Sequence, residues 1–385
     1  MRVGIVSRSQ VDYALDLANE LHQNGAAVTL YLDDKHIIDE VGDSLRPVER
    51  LYEVGLLPAD CPVHLLQLPR MRDFHSFLFF RKLVDTMQAD GVEIVHILLN
   101  PGEIWFALLA SLLRKIPVVT TVIVPVANTG DHFPSSMVWV TNKLAILGSD
   151  MVIVNGADQV ELVENLYGLS VDRLAYVPLS MHARAAKWHN RIISEEAGTV
   201  LFFGRAHPHK GLEYLIKAQP LISKSVSYAT ILISAHGEDL NRCQQMIVDP
   251  GKFEITEGFI SGDRMAELFQ RSALIVLPYL TASTSGVLVT AYSFGKPVVA
   301  SRVGCLSEYV DDGVTGILVE PANVEELASA VVKLLQDDSL RHRMGENAKN
   351  WIVEMQRAAI EQTLLVYQKA ITIHMKNKHI TKGKK

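Results

Sequence analysis

The sequence predicts an α/β protein made of two doubly wound Rossmann-like domains in tandem, facing across a cleft. Three observations carry this reading. Short apolar runs of strand length alternate with stretches of helical periodicity, the pattern of parallel sheets covered on both faces. The alternation runs through the first half and starts afresh at Thr199. The 385 residues exceed the roughly 250–300 at which a single core usually splits.

In chain order, Arg2–Ser7 reads as a strand, and Val11–Asn24 as a helix with Ala14, Leu17, Ala18 and Leu21 on its apolar face. Gly25 is placed to end that helix, and Ala27–Leu32 is the next strand. Val92–Leu98, Glu103–Arg114 and Pro117–Val124 repeat strand, helix, strand, and Met151–Val154 is a further strand. The second series reads Val200–Phe203 strand, Gly211–Ala218 helix, Thr230–Ser234 strand, Arg264–Gln270 helix and Leu274–Leu277 strand. Val287–Phe294 then reads as helix, Pro297–Ser301 as strand, Val324–Gln336 as helix, and the chain from Ser339 as mostly helical. Residues 183–198 have weak periodicity and serve as the linker. The domains are therefore drawn at 1–185 and 186–365, with 366–385 as a helix end and basic tail.

Composition narrows the class. A hydrophobic share of 48% and a charged share of 21% describe an ordinary globular chain. Three separated cysteines (Cys61, Cys243, Cys305) with no CxxC pair argue against a disulfide framework or structural zinc, and fit a cytoplasmic setting. The opening MRVGIVSRSQ is not a signal peptide, and Ile104–Leu113 falls short of a bilayer span. Net charge of −6 gives no global field for nucleic acid. The charge is uneven: residues 1–185 hold 14 Lys and Arg against 22 Asp and Glu, and the last ten residues hold five lysines and no acid. That tail reads as a solvated end.

The most informative segment is FFGRAHPHKG, residues 202–211. A strand ends at Gly204, a short loop brings in Arg205 and Lys210, and Gly211 leads into a helix. Two cations at a helix N-terminus suit a polyanion such as a diphosphate leaving group. A second loop, 278–286, crowds Thr281, Ser283, Thr284 and Ser285 before Gly286 and a helix, and successive amides of such a turn can face phosphate. GKPVVAS (295–301) then leads to Gly304 and Glu308.

Together these pieces resemble the retaining glycosyltransferases of family 4, which have the GT-B fold. The resemblance is best over Thr199–Trp351. It rests on FFGRAHPHKG, ITEGFIS (255–261), the LPY and SG pieces with GKPVVAS, and SEYVDDGVTGILVEPANVEELASAV (307–331). GVEIVHILLN (91–100) and PVVTTVIVP (117–125) carry a looser likeness in the first half. The resemblance implies metal-independent transfer of a sugar, with retention, from a nucleotide-sugar co-substrate, a UDP-sugar of glucose type. It also implies C-terminal helices that pack back on the first domain.

Arg205 and Lys210 match the family's diphosphate pair and act as the catalytic cations. Gly204, Ser283, Thr284, Ser285, Gly286, Thr290 and Glu308 fall at the donor. Val287 and Leu288 match amides that approach the phosphates, and Ile260 with Arg264 matches the nucleotide-base region. Two departures stand out. The family's two glutamates fall on Ala282 and Thr290, a Ser-Gly variant of the block, and its His-Asp pair falls on Ile123 and Val124. Asn128, Asp131 and His132 are the nearest polar replacements for holding an acceptor, whereas His96 reads as a satisfied core histidine.

The acceptor implied is a glycan or a lipid-linked one, with peripheral contact at the inner membrane face. Residues 69–82, with four cations and four phenylalanines, form either a membrane-surface helix or an ordinary packed one. The alternative function is a catalytically weak nucleotide-binding or partner-binding protein. A dinucleotide-dependent oxidoreductase is excluded, because Ser7-Arg8-Ser9-Gln10 supplies no GxGxxG after the first strand.

Overall fold

A computed structural model describes residues 1–41, 45–68, 75–127, 134–179, 193–258 and 260–382, without the side chains of 39–41, 75 and 379–382. The chain divides into two units. The first comprises Met1–Ala127, Phe133–Arg184 and Gln356–Lys385, and the second runs Ala185–Met355.

The first unit holds seven strands: β1 (Arg2–Ser7), β2 (Ala27–Asp33), β3 (Val63–Leu66), β4 (Ile94–Leu99), β5 (Val118–Val122), β6 (Met151–Val154) and β7 (Leu174–Tyr176). They pair in the order β3-β2-β1-β4-β5-β6-β7, all parallel. Burial on both faces explains why β4 reads IVHILL and β6 MVIV rather than alternating. His96 is the one ionisable side chain of β4, and it is 1% exposed. Its Nδ1 lies 2.8 Å from the Tyr367 hydroxyl and its Nε2 2.7 Å from Thr121 Oγ1. Burial pushes its pKa down to about 3, so the ring is neutral, as expected of a satisfied core histidine.

Tyr367 belongs to the helix Asp338–Lys382. That helix counts with the second unit through Met355 and with the first from Gln356, so C-terminal helix does pack on the first domain.

The second unit holds β8 (Thr199–Arg205), β9 (Thr230–His236), β10 (Phe253–Glu257), β11 (Leu274–Leu277), β12 (Val298–Ser301) and β13 (Gly316–Val319). Their order is β10-β9-β8-β11-β12-β13, again all parallel. One helix outruns its sequence signal. The stretch expected to end near Ala218 continues through Pro220 to Ser225, because Ile222 and Val226 are buried and packing outweighs the lost hydrogen bond.

The described part of the linker is anchored on the second unit. Glu195 takes Lys296 Nζ at 2.7 Å and Arg341 Nη2 at 2.9 Å, and both cations are under a tenth exposed.

Of the aromatic segment at 69–82, Pro69–Phe74 lies outside the described residues. The helix His75–Ala89 buries Phe80 against Trp105 and Phe106 and leaves Phe77 and Leu78 exposed. Among the described residues no helix is long and apolar enough to cross a membrane.

Candidate functional site

In a sheet of order 3-2-1-4, ligands collect where the order reverses, beyond the carboxyl ends of the first and fourth strands. In the second unit that point lies between β8 and β11. A cavity of about 250 Å³ sits there, lined by Phe203, Arg205, His207, His209, Lys210, Tyr279, Thr284, Ser285, Gly286 and Val287.

Three loops meet at this place through backbone contacts that two glycines make feasible. Gly211 has φ +64°, and a Cβ on it would lie 1.9 Å from the Pro278 carbonyl oxygen. No other residue fits there without moving backbone. The Leu280 amide donates to the His209 carbonyl at 2.7 Å, which joins the loop after β11 to the loop after β8. On the other side the Ala206 amide donates to the His236 carbonyl at 2.7 Å. A Cβ on Gly237 would lie 2.5 Å from the Ala206 oxygen, so the loop after β9 closes equally tightly.

The cavity is cationic. Arg205 is exposed and makes no ion pair among the described residues. Lys210 Nζ stands 3.8 Å from the centroid of the Tyr279 ring. The His207 and His209 rings stack, with centroids 5.6 Å apart, and each residue is under a tenth exposed. His236 is held below its usual pKa by burial and then by the charge of Arg205. No carboxylate is among the lining residues.

The helix Gly286–Ser293 contributes its positive end. Ser285 Oγ accepts from the Leu288 amide at 3.3 Å, so that amide is engaged in the cap. The amides of Gly286 and Val287 precede the first intrahelical bond and remain for a ligand.

The other sequence-derived residues stand as follows. Gly204, at φ +107°, would bring a Cβ to 3.5 Å from Val287 Cγ2, so the end of β8 touches the start of this helix. Thr290 Oγ1 donates to the Gly286 carbonyl at 2.9 Å. Ser283 is half-buried in the loop, and neither it nor Thr290 lines the cavity. Ile260 and Arg264 lie at the start of the helix Gly262–Arg271, outside the lining. Arg264 pairs with Glu267 and, at 3.7 Å, with Glu254. Glu308 is exposed on the helix Gly304–Tyr309. That helix start is nonetheless near the second loop, since a Cβ on Gly304 would lie 1.9 Å from the Ala282 oxygen. Asn128, Asp131 and His132 lie outside the described residues.

Sequence reasoning did not assign Phe203, His207, His209 and Tyr279 to the site, although all four stand inside or beside the quoted motifs. The signal was position alone: they flank the two cations or follow the apolar strand.

The reversal point of the first unit, between β1 and β4, carries a different cluster. Glu103 is 4% exposed, and its carboxylate accepts from Ser9 Oγ at 2.6 Å and from the Asn100 amide at 3.0 Å. Burial raises its pKa above the usual carboxylate value, against the lowering by these donors. Arg8 and His36 each approach Asp33 at 3.6 Å. Also in this unit, His22, Asp60 and Cys61 bring one possible metal-ligand atom each within 4.8 Å of the others.

Comparison with known proteins agrees with this geometry. Residues 10–180 match the family model described as "Glycosyl transferase 4-like domain", and residues 197–337 match "Glycosyl transferases group 1", together well over half of the chain. An α-D-kanosaminyltransferase of Streptomyces kanamyceticus is 30% identical over 207 residues, 51% of this chain and 53% of that protein. The chain thus spans about half the length of the curated relatives it matches. Among solved structures, sucrose-phosphate synthase from Thermosynechococcus elongatus aligns with a TM-score of 0.70 at 18% identity, over 97% of this chain and 99% of that one. HepE from Anabaena, solved in complex with UDP and glucose, aligns with a TM-score of 0.66 at 18% identity, over 99% of each chain. Two parallel reversed sheets, a cationic crevice at the second and family models over both halves lead to one assignment: the chain belongs to the family 4-like glycosyltransferases of the GT-B fold.

Proposed function

We propose that the chain transfers a sugar from a UDP-sugar, of glucose type, to a glycan or lipid-linked acceptor with retention at the anomeric carbon. One observation carries this reading: Arg205, Lys210 and the first amides of the helix Gly286–Ser293 converge on one cavity at the reversal point of the second sheet. Such a site suits a diphosphate, and Anabaena HepE was solved with UDP as its ligand.

The chemistry follows from the charges. As the bond from the anomeric carbon to the diphosphate oxygen breaks, negative charge grows on the phosphate. Arg205 offers a planar fork of N–H donors and Lys210 a compact charge, both aimed at that oxygen-rich group. They take the part that a divalent metal plays in other transferases, and the reaction is metal-independent. The acceptor hydroxyl attacks on the face the leaving group vacates. Its proton passes to the departing phosphate, so no side-chain nucleophile is required and the absence of glutamates at Ala282 and Thr290 is compatible with turnover.

Those same two positions support the second reading, a GT-B protein that binds nucleotide and turns over weakly. Calorimetry with UDP, GDP and ADP, alongside hydrolysis of UDP-glucose, separates the two. Tight UDP binding with sugar release supports the transferase. Binding without release from any of several UDP-sugars supports the weak binder. No nucleotide binding at all refutes both. The site of action proposed is cytoplasmic, with peripheral contact at the inner membrane face for a lipid-linked acceptor. Flotation with anionic vesicles tests that contact.

A further inference from the structure

We propose that Tyr279 is a positioning residue of the cationic cavity, its ring seating the Lys210 ammonium. The inference rests on the reading of this cavity as a diphosphate site.

Tyr279 is 1% exposed, yet its ring lines the cavity and lies 3.8 Å from Lys210 Nζ. An ammonium over an aromatic face is held by the ring quadrupole, more strongly where water is excluded. A lysine has a flexible four-carbon stem, and a free one spends most of its time away from any single phosphate-binding position. The ring removes that freedom before a ligand arrives.

The backbone on both sides of Tyr279 is fixed to the loop that carries Lys210. Pro278 abuts Gly211, where a Cβ would lie 1.9 Å from its oxygen, and the Leu280 amide donates to the His209 carbonyl at 2.7 Å. The Tyr279 ring lines the same cavity as the first turn of the helix Gly286–Ser293, which Ser285 Oγ sets by accepting from the Leu288 amide. An aliphatic residue of equal burial would fill the core but provide no seat for the ammonium.

The test uses the full chain, calorimetry with UDP and with uridine, and variants checked for folding by near-UV circular dichroism. Tyr279→Leu is expected to weaken UDP binding about tenfold while leaving uridine binding unchanged, because the seat acts on phosphate alone. Added to Lys210→Ala it is expected to cost nothing further. A folded Tyr279→Leu that binds UDP like the wild type overturns the proposal, as does an equal loss for UDP and uridine or an additive loss with Lys210→Ala.

Tyr279→Met, close in volume but without an aromatic face, keeps the question open to measurement if Tyr279→Leu does not fold, and is expected to show the same loss for UDP and none for uridine. Tyr279→Phe, which keeps the ring, is expected to bind UDP within about twofold of the wild type. A tenfold loss in Tyr279→Phe, or wild-type UDP binding by Tyr279→Met, overturns the seat. Arg205→Ala distinguishes the two levels of failure. If Arg205→Ala and Lys210→Ala both bind UDP normally, the diphosphate reading itself fails. If both lose affinity and Tyr279→Leu does not, only the role of Tyr279 fails.

Discussion

The two sheets reverse in the same order, first strand against fourth, and yet the two reversal points hold opposite chemistry. Beyond β8 and β11 stand Arg205, Lys210 and a helix end, with no lining carboxylate. Beyond β1 and β4 stands a buried carboxylate, Glu103, already bonded to Ser9 and Asn100. Topology supplies the place for a ligand and the loop residues choose what it binds. The second point gathers positive charge around space, whereas the first has its buried acid matched by donors of its own loops.

The contrast can be broken most sharply at Arg205. Arg205→Ala is expected to lower the rate of sugar release from UDP-glucose on the order of 10²–10³-fold, as when one donor to a developing charge is removed. Arg205 is exposed and unpaired among the described residues, so thermal unfolding of the variant is expected to match the wild type. A rate within threefold of the wild type would count against the cationic assignment.

The next effect belongs to the first unit and is read as stability against pH. His96 is held neutral in the fold, with its pKa pushed down from 6.5 to about 3. Below pH ~6.5 the unfolded chain takes up a proton that the buried ring refuses. The stability from this site is complete above that pH and is lost progressively as pH falls toward 3. Between pH 7 and pH 5 the wild type is expected to lose about 2 kcal/mol more than His96→Gln, measured by urea unfolding. Equal losses would mean the ring is not excluded from solvent.

Glu103→Gln sharpens the comparison from the same side. It keeps the shape but faces an amide donor toward groups that now donate to the carboxylate, and is expected to cost about 1–2 kcal/mol in urea unfolding. UDP affinity is expected to stay unchanged, and a loss there would mean that the two reversal points do not act separately. Smallest of the set, Ser285→Ala removes a helix cap and is expected to cost about 1 kcal/mol in the unfolding of the second unit.

The fold was legible because both sheets are parallel and buried. Continuous apolar runs such as Leu274–Leu277 and Val298–Ser301 announce central strands without help from alternation. Val63–Leu66, at a sheet edge, shows no such run and was not predicted. The cations of the site were legible too, because Arg205, Lys210 and Gly211 stand within seven residues on one loop. Tyr279 and the histidines were not, since a tyrosine after an apolar strand looks like any core residue until its ring is seen under an ammonium. The Ser9, Asn100 and Glu103 cluster joins loops more than ninety residues apart, which no local pattern records.

The shared ownership of the helix Asp338–Lys382 has a consequence for how the protein is made. The seven strands of the first unit are synthesised before the second unit, but Tyr367, the partner of His96 Nδ1, is made only after it. Until then β4 carries a buried ring with one nitrogen lacking its bond, a state that costs about 1–3 kcal/mol. The second unit is thus inserted, in order of synthesis, between the strands of the first unit and the helical segment that completes it, so translation of that segment, not completion of the seventh strand, sets when the first unit reaches its full stability.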